Sequence, residues 1–226
     1  ITEVNAQTIT NYTIADGLIS DFVECIAVDI YDNIWFGTSV GVQMYDGVNW
    51  TSYASADFGL STDNIKVLKA TISGDVYIGT DFGASKFDGS NWIAFNTNSQ
   101  IKSIDEDAAG DIWLGTNQGV QYFDGVISTY YSAPDLHWSG VNGTAIDSNG
   151  DKWFSSPLGG ITHFDGVNFT AYDTSDGLLS LYTTDILVDN QDRKWVGTVS
   201  GMSVLDASNT FTVPITLVVY VFTGSL

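Results

Sequence analysis

The sequence predicts an all-β protein in which one structural unit is repeated five times. A short segment, an aromatic residue followed by small residues, recurs along the 226-residue chain as IWFGT, VYIGT, IWLGT, KWFSS and KWVGT. Glycine and aspartate follow each copy at nearly fixed distances, and the segments between them alternate apolar and polar residues. No stretch combines a helical period with capping residues. These observations favour short strands joined by tight turns.

The repeat is defined by an aromatic anchor and three further positions. The anchors are Trp35, Tyr77, Trp113, Trp153 and Trp195. Glycine lies six positions after each anchor, and Gly160 takes this role in the fourth unit, which has one extra residue. Five positions later come Asp46, Asp88, Asp124, Asp165 and Asp206. Six positions before the anchors lie Asp29, Thr71, Asp107, Asp147 and Asp189.

Each unit divides into four predicted strands. In the first unit these are VECIAVDI, NIWFGTS, GVQMYDG and NWTSYAS, which are rich in β-branched and aromatic residues. Aspartate and glycine between them suit hairpin turns, because aspartate bonds its own backbone and glycine accepts a positive φ. A period of about 40 residues with four strands is typical of a propeller blade. The sequence therefore predicts one domain, residues 1–226, folded as a five-bladed β-propeller of four-stranded antiparallel blades.

The repeated unit resembles a known family. The segment DSNGDKWFSSPLGGITHFDGVNFTAYDTSDGLLS, at 147–180, and its four partners are similar to the two-component regulator propeller repeat. In that family a D-x-x-G-x-x-W-x-G-T segment precedes G-G-x-x-x-x-D-G and often D-G-L, which stands here at 16–18 and 176–178. The resemblance implies an extracytoplasmic sensor portion of a bacterial hybrid histidine kinase, or a secreted bacterial protein. Such sensors usually have more than five units.

The two ends of the chain bear on how the ring of blades closes. Residues 5–18 align with residues 49–60, so we expect the N-terminal strand to complete the last blade and close the ring. Residues 207–226 then form a candidate extra edge strand. Within them, TFTVPI at 210–215 could compete with the N-terminus, and LVVYVF at 217–222 could begin a sixth unit. Because exposed edges pair with other chains, we expect this segment either to add to the fifth blade or to mediate self-association.

Composition narrows the function. Seven Lys and Arg against 27 Asp and Glu give a formal net charge of −20, which argues against binding to nucleic acid or to an anionic membrane surface. No apolar run is long enough for a membrane span. The single cysteine, Cys25, lies in an apolar run, so we expect a buried and unreactive thiol. Few lysines and no cysteine pairs favour an exported bacterial protein, extracellular or periplasmic.

Aligning the units by their anchors predicts a polar ring at the mouth of the central channel. The residues eleven positions before the anchors are Glu24, Lys66, Lys102, Asn142 and Thr184. One interpretation is that they simply face channel water. The functional interpretation is a site in which Lys66 and Lys102 hold a small polar or anionic ligand.

A second candidate region lies in the connection into the fourth unit. The segment TYYSAPDLHWSGVNG, at 129–143, brings Tyr130, Tyr131, His137 and Trp138 toward the same face, and Tyr182 lies at the matching edge of the fifth unit. Aromatic faces beside polar groups bind sugars and other amphipathic ligands. The alternative is a loop that fills its own small core.

Metal binding and catalysis have less support in the sequence. DSNGD, at 147–151, resembles part of a calcium loop but lacks the downstream bidentate glutamate, so we expect a structural turn and no cofactor, with room only for weak surface calcium. Glu24 is the one acid of the polar ring, and Asp21 or Asp63 could supply a second carboxylate for glycoside hydrolysis. Neighbouring lysines would lower the pKa of Glu24, which does not suit a general acid.

These observations favour a non-catalytic, exported binding or sensor-type module that recognises a small ligand, a glycan or a protein partner. A structural subunit of an extracellular assembly, joined through the C-terminal strand, is the second hypothesis. A carbohydrate-active enzyme is the third.

Overall fold

The computed structural model describes residues 9–95, 98–125, 128–136 and 138–212, and these form five antiparallel sheets. Sheet 1 contains β1 (Val23–Val28), β2 (Ile34–Thr38), β3 (Gly41–Tyr45) and β4 (Trp50–Tyr53). Sheet 2 contains β5 (Ile65–Ala70), β6 (Val76–Thr80), β7 (Gly83–Phe87) and β8 (Trp92–Phe95). Sheet 3 contains β9 (Ile101–Glu106), β10 (Ile112–Thr116), β11 (Val120–Phe123) and β12 (Ser128–Tyr131). Sheet 4 contains β13 (Gly143–Ile146), β14 (Lys152–Ser156), β15 (Gly160–Phe164) and β16 (Phe169–Tyr172). Sheet 5 contains β17 (Thr183–Val188), β18 (Lys194–Thr198) and β19 (Gly201–Leu205).

The sheets follow one another side by side in chain order, as the blades of a propeller do. Their first strands are neighbours, with β1 beside β5, β5 beside β9, β9 beside β13 and β13 beside β17, so these inner strands lie on the hub side. Apolar clusters fill the spaces between consecutive sheets. We call the end where the first two strands of each sheet are joined the lower end, and the opposite end the upper end. The all-β class and the five sheets predicted from the repeat are confirmed.

A tryptophan–aspartate pair fixes the lower end of four sheets. The indole Nε1 of each tryptophan anchor donates a hydrogen bond to the carboxylate six residues earlier, at 2.8–3.1 Å. The other carboxylate oxygen accepts two backbone N–H groups of the turn, as Asp29 does from Tyr31 and Asn33. Sheet 2 departs from this pattern at both positions, since Tyr77 and Thr71 replace the pair.

Close contact between neighbouring sheets explains the glycine two residues after the anchor. A methyl carbon added to Gly37 would lie 2.7 Å from Cγ2 of Ile65 in sheet 2, a distance that real side chains do not tolerate. Sheet 4 has Ser155 at this position, and the facing residue of its inner strand is Gly143, so the small residue has changed sides.

Threonine side chains close the upper turns. Thr38, Thr80, Thr116 and Thr198 each donate a hydrogen bond from Oγ1 to the carbonyl of the glycine three residues later. Sheet 4 has Ser156 here, and Thr183 of sheet 5 supplies the bonds instead, donating to the carbonyls of Ser156 and Gly160 at 2.7 and 2.9 Å. This accounts for a threonine at a position that is apolar in the other units.

The N-terminal segment does not close the fifth sheet in the part of the chain that the structure describes. Residues 9–13 form no strand, and Tyr12 packs instead on Tyr45 and Trp50 of sheet 1. The position beside β19 is taken by the C-terminal side, where Phe211 bridges Leu205 and the Thr212 N–H donates to the Val204 carbonyl at 2.8 Å. The competing assignment of 210–215 to the outer strand is therefore the one that fits, as far as residue 212. Residues 1–8 and the predicted strand 217–222 lie outside the described residues.

The outward faces of the first and fifth sheets are not covered by each other. Ile26 of sheet 1 is 61% exposed, whereas its equivalent in sheet 2, Leu68, is 9% exposed. Met202 of sheet 5 is 55% exposed, whereas its equivalent in sheet 1, Val42, is fully buried. Within the described ranges the five sheets thus form an open arc, and the predicted closed ring is not confirmed.

Two short helical segments depart from the predicted absence of helix. They are a 3-10 turn at Ile14–Asp16 and a single α-helical turn, α1 (Ser55–Phe58). Both precede a glycine with positive φ, Gly17 or Gly59, and then a buried leucine, Leu18 or Leu60. At the upper end, α1 connects sheet 1 to sheet 2, and the 3-10 turn leads into sheet 1. Neither has the length or the apolar run that a membrane crossing requires.

The side chain of Cys25 lies in the first sheet interface. Its Sγ would be 2.4 Å from a methyl carbon placed on Gly37. Burial, together with the neighbouring Glu24 carboxylate, raises the pKa of the thiol to about 12. The residue is half-buried, where full burial was expected, and the raised pKa keeps the thiol protonated at neutral pH. Its low reactivity stays a prediction.

A lysine at the interface of sheets 4 and 5 yields a stability prediction. Lys194 Nζ lies 3.1 Å from Asp147 Oδ2, and both side chains are fully buried. Lys194→Met should lower the free energy of unfolding by about 3–5 kcal/mol, because it leaves Asp147 as an uncompensated buried charge. Urea unfolding measures this. Lys69→Met is the matched control, since Lys69 is 35% exposed in its salt bridge with Asp105, and it should cost less than about 1 kcal/mol. Equal losses for the two variants would contradict the assignment.

Cys25 yields a second prediction. At neutral pH the thiol should react with a disulfide reagent far more slowly in the folded protein than in the unfolded chain, because only the thiolate is nucleophilic. The absorbance of the released thiol, followed with and without urea, tests this. Rapid labelling of the folded protein at pH 7 would show that the thiol is accessible and ionised.

Candidate functional site

The polar ring predicted from the sequence shares one local structure in four of its five members. Glu24, Lys66, Lys102 and Thr184 each stand at an irregularity in the pairing of an inner strand with its neighbour, near the upper end. Such a bulge redirects a side chain out of the regular alternation, and bulges recur beside binding sites. The fifth member, Asn142, directly precedes β13, which pairs without a bulge. The alignment therefore corresponds to one local structure at four of the five positions.

Hydrogen bonds join ring members of sheets 3 and 4. Lys102 Nζ donates to Asn142 Oδ1 at 2.9 Å, and Asn142 Nδ2 donates to the Thr183 carbonyl of sheet 5 at 2.9 Å. The Ser103 and Thr144 hydroxyls are also bonded, at 2.8 Å. These contacts make a continuous polar line across three inner strands.

The other ring members do not join this line. The hydroxyl of Thr184 stands over Gly197 of its own sheet, 2.8 Å from where a methyl carbon would be. Glu24 is exposed on sheet 1, at the open end of the arc. Lys66 is half-buried as a residue and has no hydrogen bond or ion pair to any residue that the structure describes.

A cluster of amides and one carboxylate at the upper end was not foreseen from the sequence. Asp81 accepts hydrogen bonds from Asn64 Nδ2 at 2.7 Å and from Gln100 Nε2 at 2.8 Å, and thus links sheets 2 and 3. Gln100 and Asn117 exchange two further bonds. The only signal was a polar residue four positions after the anchor in three of the five units. This cluster lies at the upper end of the same two sheets whose inner strands carry Lys66 and Lys102.

The aromatic connection into sheet 4 is divided between core and surface. Leu136 is buried among Trp113, Val120 and Phe154, which agrees with a loop filling its own small core. Trp138, however, is 43% exposed and packs beside Gly159 at the upper turn of sheet 4.

Tyr182, 53% exposed, follows Leu181, whose carbonyl accepts from Gly160 in the same turn. Trp138 and Tyr182 therefore flank one turn. His137 lies outside the described residues, and Tyr130 is about half exposed at the upper edge of sheet 3.

Exposed apolar side chains also lie at the upper end of the sheets. The tips of three upper turns, five positions after the anchor, are Val40, Phe82 and Leu158, each 42–56% exposed. Phe22 and Val199 add to the same end, at 65% and 67%. The upper end therefore presents exposed apolar tips as well as the polar groups of the inner strands, a combination suited to binding an amphipathic ligand.

The aspartates of the predicted calcium loop hold the turn itself. Asp147 Oδ1 accepts the N–H groups of Asn149 and Asp151, and Oδ2 accepts from Trp153 and lies 3.1 Å from Lys194 Nζ. Both oxygens are thus engaged, one of them with a cation. In the described ranges no three or more His, Cys, Asp or Glu side chains are grouped as a metal site requires.

The carboxylates considered for catalysis have structural partners. Asp21 accepts from the backbone of Ile14 at 2.9 Å, and Asp63 accepts from the backbone of Ser55. Asp21 holds the 3-10 turn that precedes sheet 1, and Asp63 holds α1 between sheets 1 and 2. Neither aspartate therefore offers a free carboxylate that could act together with Glu24.

Comparison with known proteins agrees with the repeat. Residues 17–40 match the family model described as two component regulator propeller. The chain is similar to the extracellular domain of the one component system BT4673 from B. thetaiotaomicron, with 20% identity and a TM-score of 0.69 over 83% of this chain and 28% of that domain. A comparison with curated proteins gave no match.

Two further solved structures share the fold. PorZ, a bacterial surface component of the type-IX secretion system of Porphyromonas gingivalis, is 15% identical, with a TM-score of 0.66 over 83% of this chain and 32% of PorZ. Virginiamycin B lyase from Staphylococcus aureus is 16% identical, with a TM-score of 0.68 over 83% of this chain and 67% of the lyase.

These likenesses establish the architecture and leave the activity open. The chain spans about a quarter of the length of the sensor domain that it matches. At identities of 13–23% such matches concern the fold alone. The resemblance to the two-component regulator propeller repeat, inferred from the recurring anchors and turns, is confirmed.

Proposed function

We propose that this chain is a non-catalytic binding module of the sensor type, which works outside the cytoplasm of a bacterium and recognises a ligand at its upper end. The observation that carries the proposal is the state of its basic residues. Five of the seven, Lys69, Lys86, Lys152, Arg193 and Lys194, are paired with aspartates.

The remaining two are Lys66 and Lys102, at equivalent positions of neighbouring inner strands. Lys102 donates to a neutral amide, and Lys66 has no described partner. In a chain of net charge −20, two adjacent cations without a carboxylate are well placed to bind a carboxylate, sulfate or phosphate group of a ligand. The exposed tips Phe82, Leu158, Trp138 and Tyr182 would contact the apolar part of a glycan, a small molecule or a protein surface.

The setting of similar proteins supports a sensor or binding role. The domain of BT4673 that shares this fold is the extracellular domain of a one component system. Lyases with this fold also exist, so the architecture permits catalysis. The engaged carboxylates of Asp21 and Asp63 and the raised pKa of Cys25 favour binding without catalysis.

A structural subunit of an extracellular assembly is the second candidate, favoured by the two uncovered sheet faces. Asp189 of sheet 5 is neutralised by its own Arg193 at 2.6 Å, so a sheet packed on this face need not bring a lysine. The outward face of sheet 1 offers Ile34 at the position that Lys152 and Lys194 occupy in sheets 4 and 5. The face of sheet 1 in one copy therefore complements the face of sheet 5 in another. The junction of sheets 1 and 2 is a precedent, because apolar Val76 stands there at the position of the lysine.

The binding proposal predicts a ligand response that depends on the two lysines. In a thermal-shift screen of acidic saccharides and small carboxylates, a stabilising compound should lose its effect on the Lys66→Ala/Lys102→Ala variant, because the anionic group loses both cations. Lys69→Ala/Lys86→Ala, which removes the same number of charges toward the lower end, should keep the shift. A shift that survives the double substitution would place the ligand elsewhere.

The assembly alternative predicts complementation between two variants. Ile26→Glu alters the face of sheet 1, and Leu187→Glu alters the face of sheet 5. Because association joins these two different faces, each variant by itself should not associate. An equimolar mixture should form a discrete 1:1 dimer through the one unaltered pair of faces. Sedimentation velocity measures the masses. Val48→Glu, on an exposed lower turn, is the control and should assemble like the unaltered chain, whereas an unaltered chain that stays monomeric at high concentration would exclude this function.

A further inference from the structure

Three of the four tryptophan–aspartate pairs are neutralised by a cation. Lys152 Nζ lies 3.3 Å from Asp107 Oδ2, and Lys194 Nζ lies 3.1 Å from Asp147 Oδ2. Each lysine comes from the next sheet and directly precedes that sheet's anchor. Sheet 5 uses Arg193 for Asp189.

The same cations also lie over the indole rings. Lys152 Nζ is 4.9 Å from the ring centroid of Trp113, and Lys194 Nζ is 5.1 Å from that of Trp153. A carboxylate beside an aromatic face is a recurrent site for an ammonium group, since both attract positive charge. The protein thus builds one kind of ammonium site at least twice and fills it with its own lysine.

Sheet 1 has the same carboxylate and indole without the cation. Asp29 accepts from the indole of Trp35, from the Asn33 side chain and from two backbone N–H groups, all of them neutral donors. Although burial raises it, the hydrogen bonds from Trp35 and Asn33 hold the pKa of Asp29 below its usual value, so the group is charged at neutral pH. Val76 of sheet 2 stands where sheets 4 and 5 carry lysine. Among the residues described, no cation pairs with Asp29.

A cavity occupies this part of the interface. It has a volume of about 260 Å³ and is lined by Asp29, Tyr31, Trp35, Phe87 and Val76, with Gly74 and Gly89 at its edge. Tyr31 is 71% exposed, so the cavity reaches solvent at the lower end. Its walls are mainly aromatic and aliphatic, with one buried carboxylate, 8% exposed.

We propose that this cavity binds a primary organic ammonium group from outside the chain, the group that lysine supplies at the equivalent places of sheets 4 and 5. The carboxylate of Asp29 and the face of Trp35 would hold the charge, and the apolar walls would hold the attached alkyl chain. Hard metal ions suit it less, because they need several oxygen ligands and only one carboxylate is present. The site lies at the lower end of the sheets, opposite the ligand site of the proposed function, and does not depend on that function.

The test uses n-butylammonium, the analogue of a lysine side chain, with the whole chain. We expect it to shift the NMR signal of the Trp35 indole N–H in a saturable manner at millimolar concentration. Neutral 1-butanol, of similar size, should give no saturable shift. A chain that responds equally to both compounds, or to neither, would overturn the proposal.

Val76→Lys is the decisive variant, because it rebuilds the arrangement of sheets 4 and 5 and supplies the cation internally. It should weaken butylammonium binding by at least about tenfold while raising, or leaving unchanged, the midpoint of thermal unfolding. Val48→Lys, which adds the same charge on an exposed turn, should leave binding within about twofold of the unaltered chain. Undiminished binding by Val76→Lys would refute the site.

Asp29→Asn provides a second variant, should Val76→Lys fail to fold. It keeps the shape and one acceptor oxygen and removes the charge, and its NH2 cannot accept from the second pair of donors as the carboxylate does. Binding should again fall about tenfold, because the ammonium group loses its counter-charge. A folded Asp29→Asn protein that binds as before would refute the role of the carboxylate.

The source of the ammonium is tested with Nα-acetyl-lysine methylamide: comparable binding assigns a lysine side chain of a partner protein, and binding of butylammonium alone assigns a free amine.

Discussion

The hydrogen bond between an anchor indole and the carboxylate six residues before it is the interaction on which the described architecture depends. The carboxylate caps the lower turn through two backbone N–H groups, while the indole lies in the space between two sheets. One residue pair therefore connects a local turn to the packing of neighbouring sheets. Hydrogen bonds to charged groups are worth about 1.5–3 kcal/mol each, which makes the pair expensive to break singly. Sheet 2 agrees with this, since it lacks the indole and the carboxylate together.

Because this frame is shared, differences between the units carry information. Two positions before the anchor, Asp75, Asp111 and Asp151 bond to Lys86, Tyr122 and His163 respectively, at 2.7–2.8 Å. The first unit has Asn33 and Met44 at these two positions, and Asn33 turns to Asp29 instead. The electrostatic balance of each interface is therefore set by a few side chains around an unchanged backbone. The carboxylate that bonds to the anchor is neutralised by a cation in sheets 3, 4 and 5, and sheet 2 has no carboxylate at this position. In sheet 1 the carboxylate is present and no described cation neutralises it.

The strands and turns could be predicted because their determinants are local. Each anchor, glycine and aspartate acts within one unit, and five copies repeat the same evidence. Closure could not be predicted in the same way, because the outer position beside β19 is contested by two segments far apart in sequence. The side-chain directions in the polar ring depend on bulges in the inner strands, so Thr184 turns onto Gly197 while Lys102 reaches Asn142. The bonds of Asp81 cross from one sheet to the next, and alignment of single units does not reveal them.

The two ends of the sheets differ in how their cations are partnered within one acidic molecule. The lower end carries the aspartates of both turns in every sheet except where Thr71 intervenes, and the upper end holds the two cations without carboxylate partners. The net charge of −20 opposes the binding of an anionic ligand at the upper end and favours the binding of a cation in the lower cavity. Salt screens such fields over about 8 Å at physiological ionic strength. Screening therefore reduces the long-range repulsion of an anionic ligand at the upper end, and it also weakens the long-range attraction of a cation to the lower cavity. Short contacts must supply most of the affinity at the upper end.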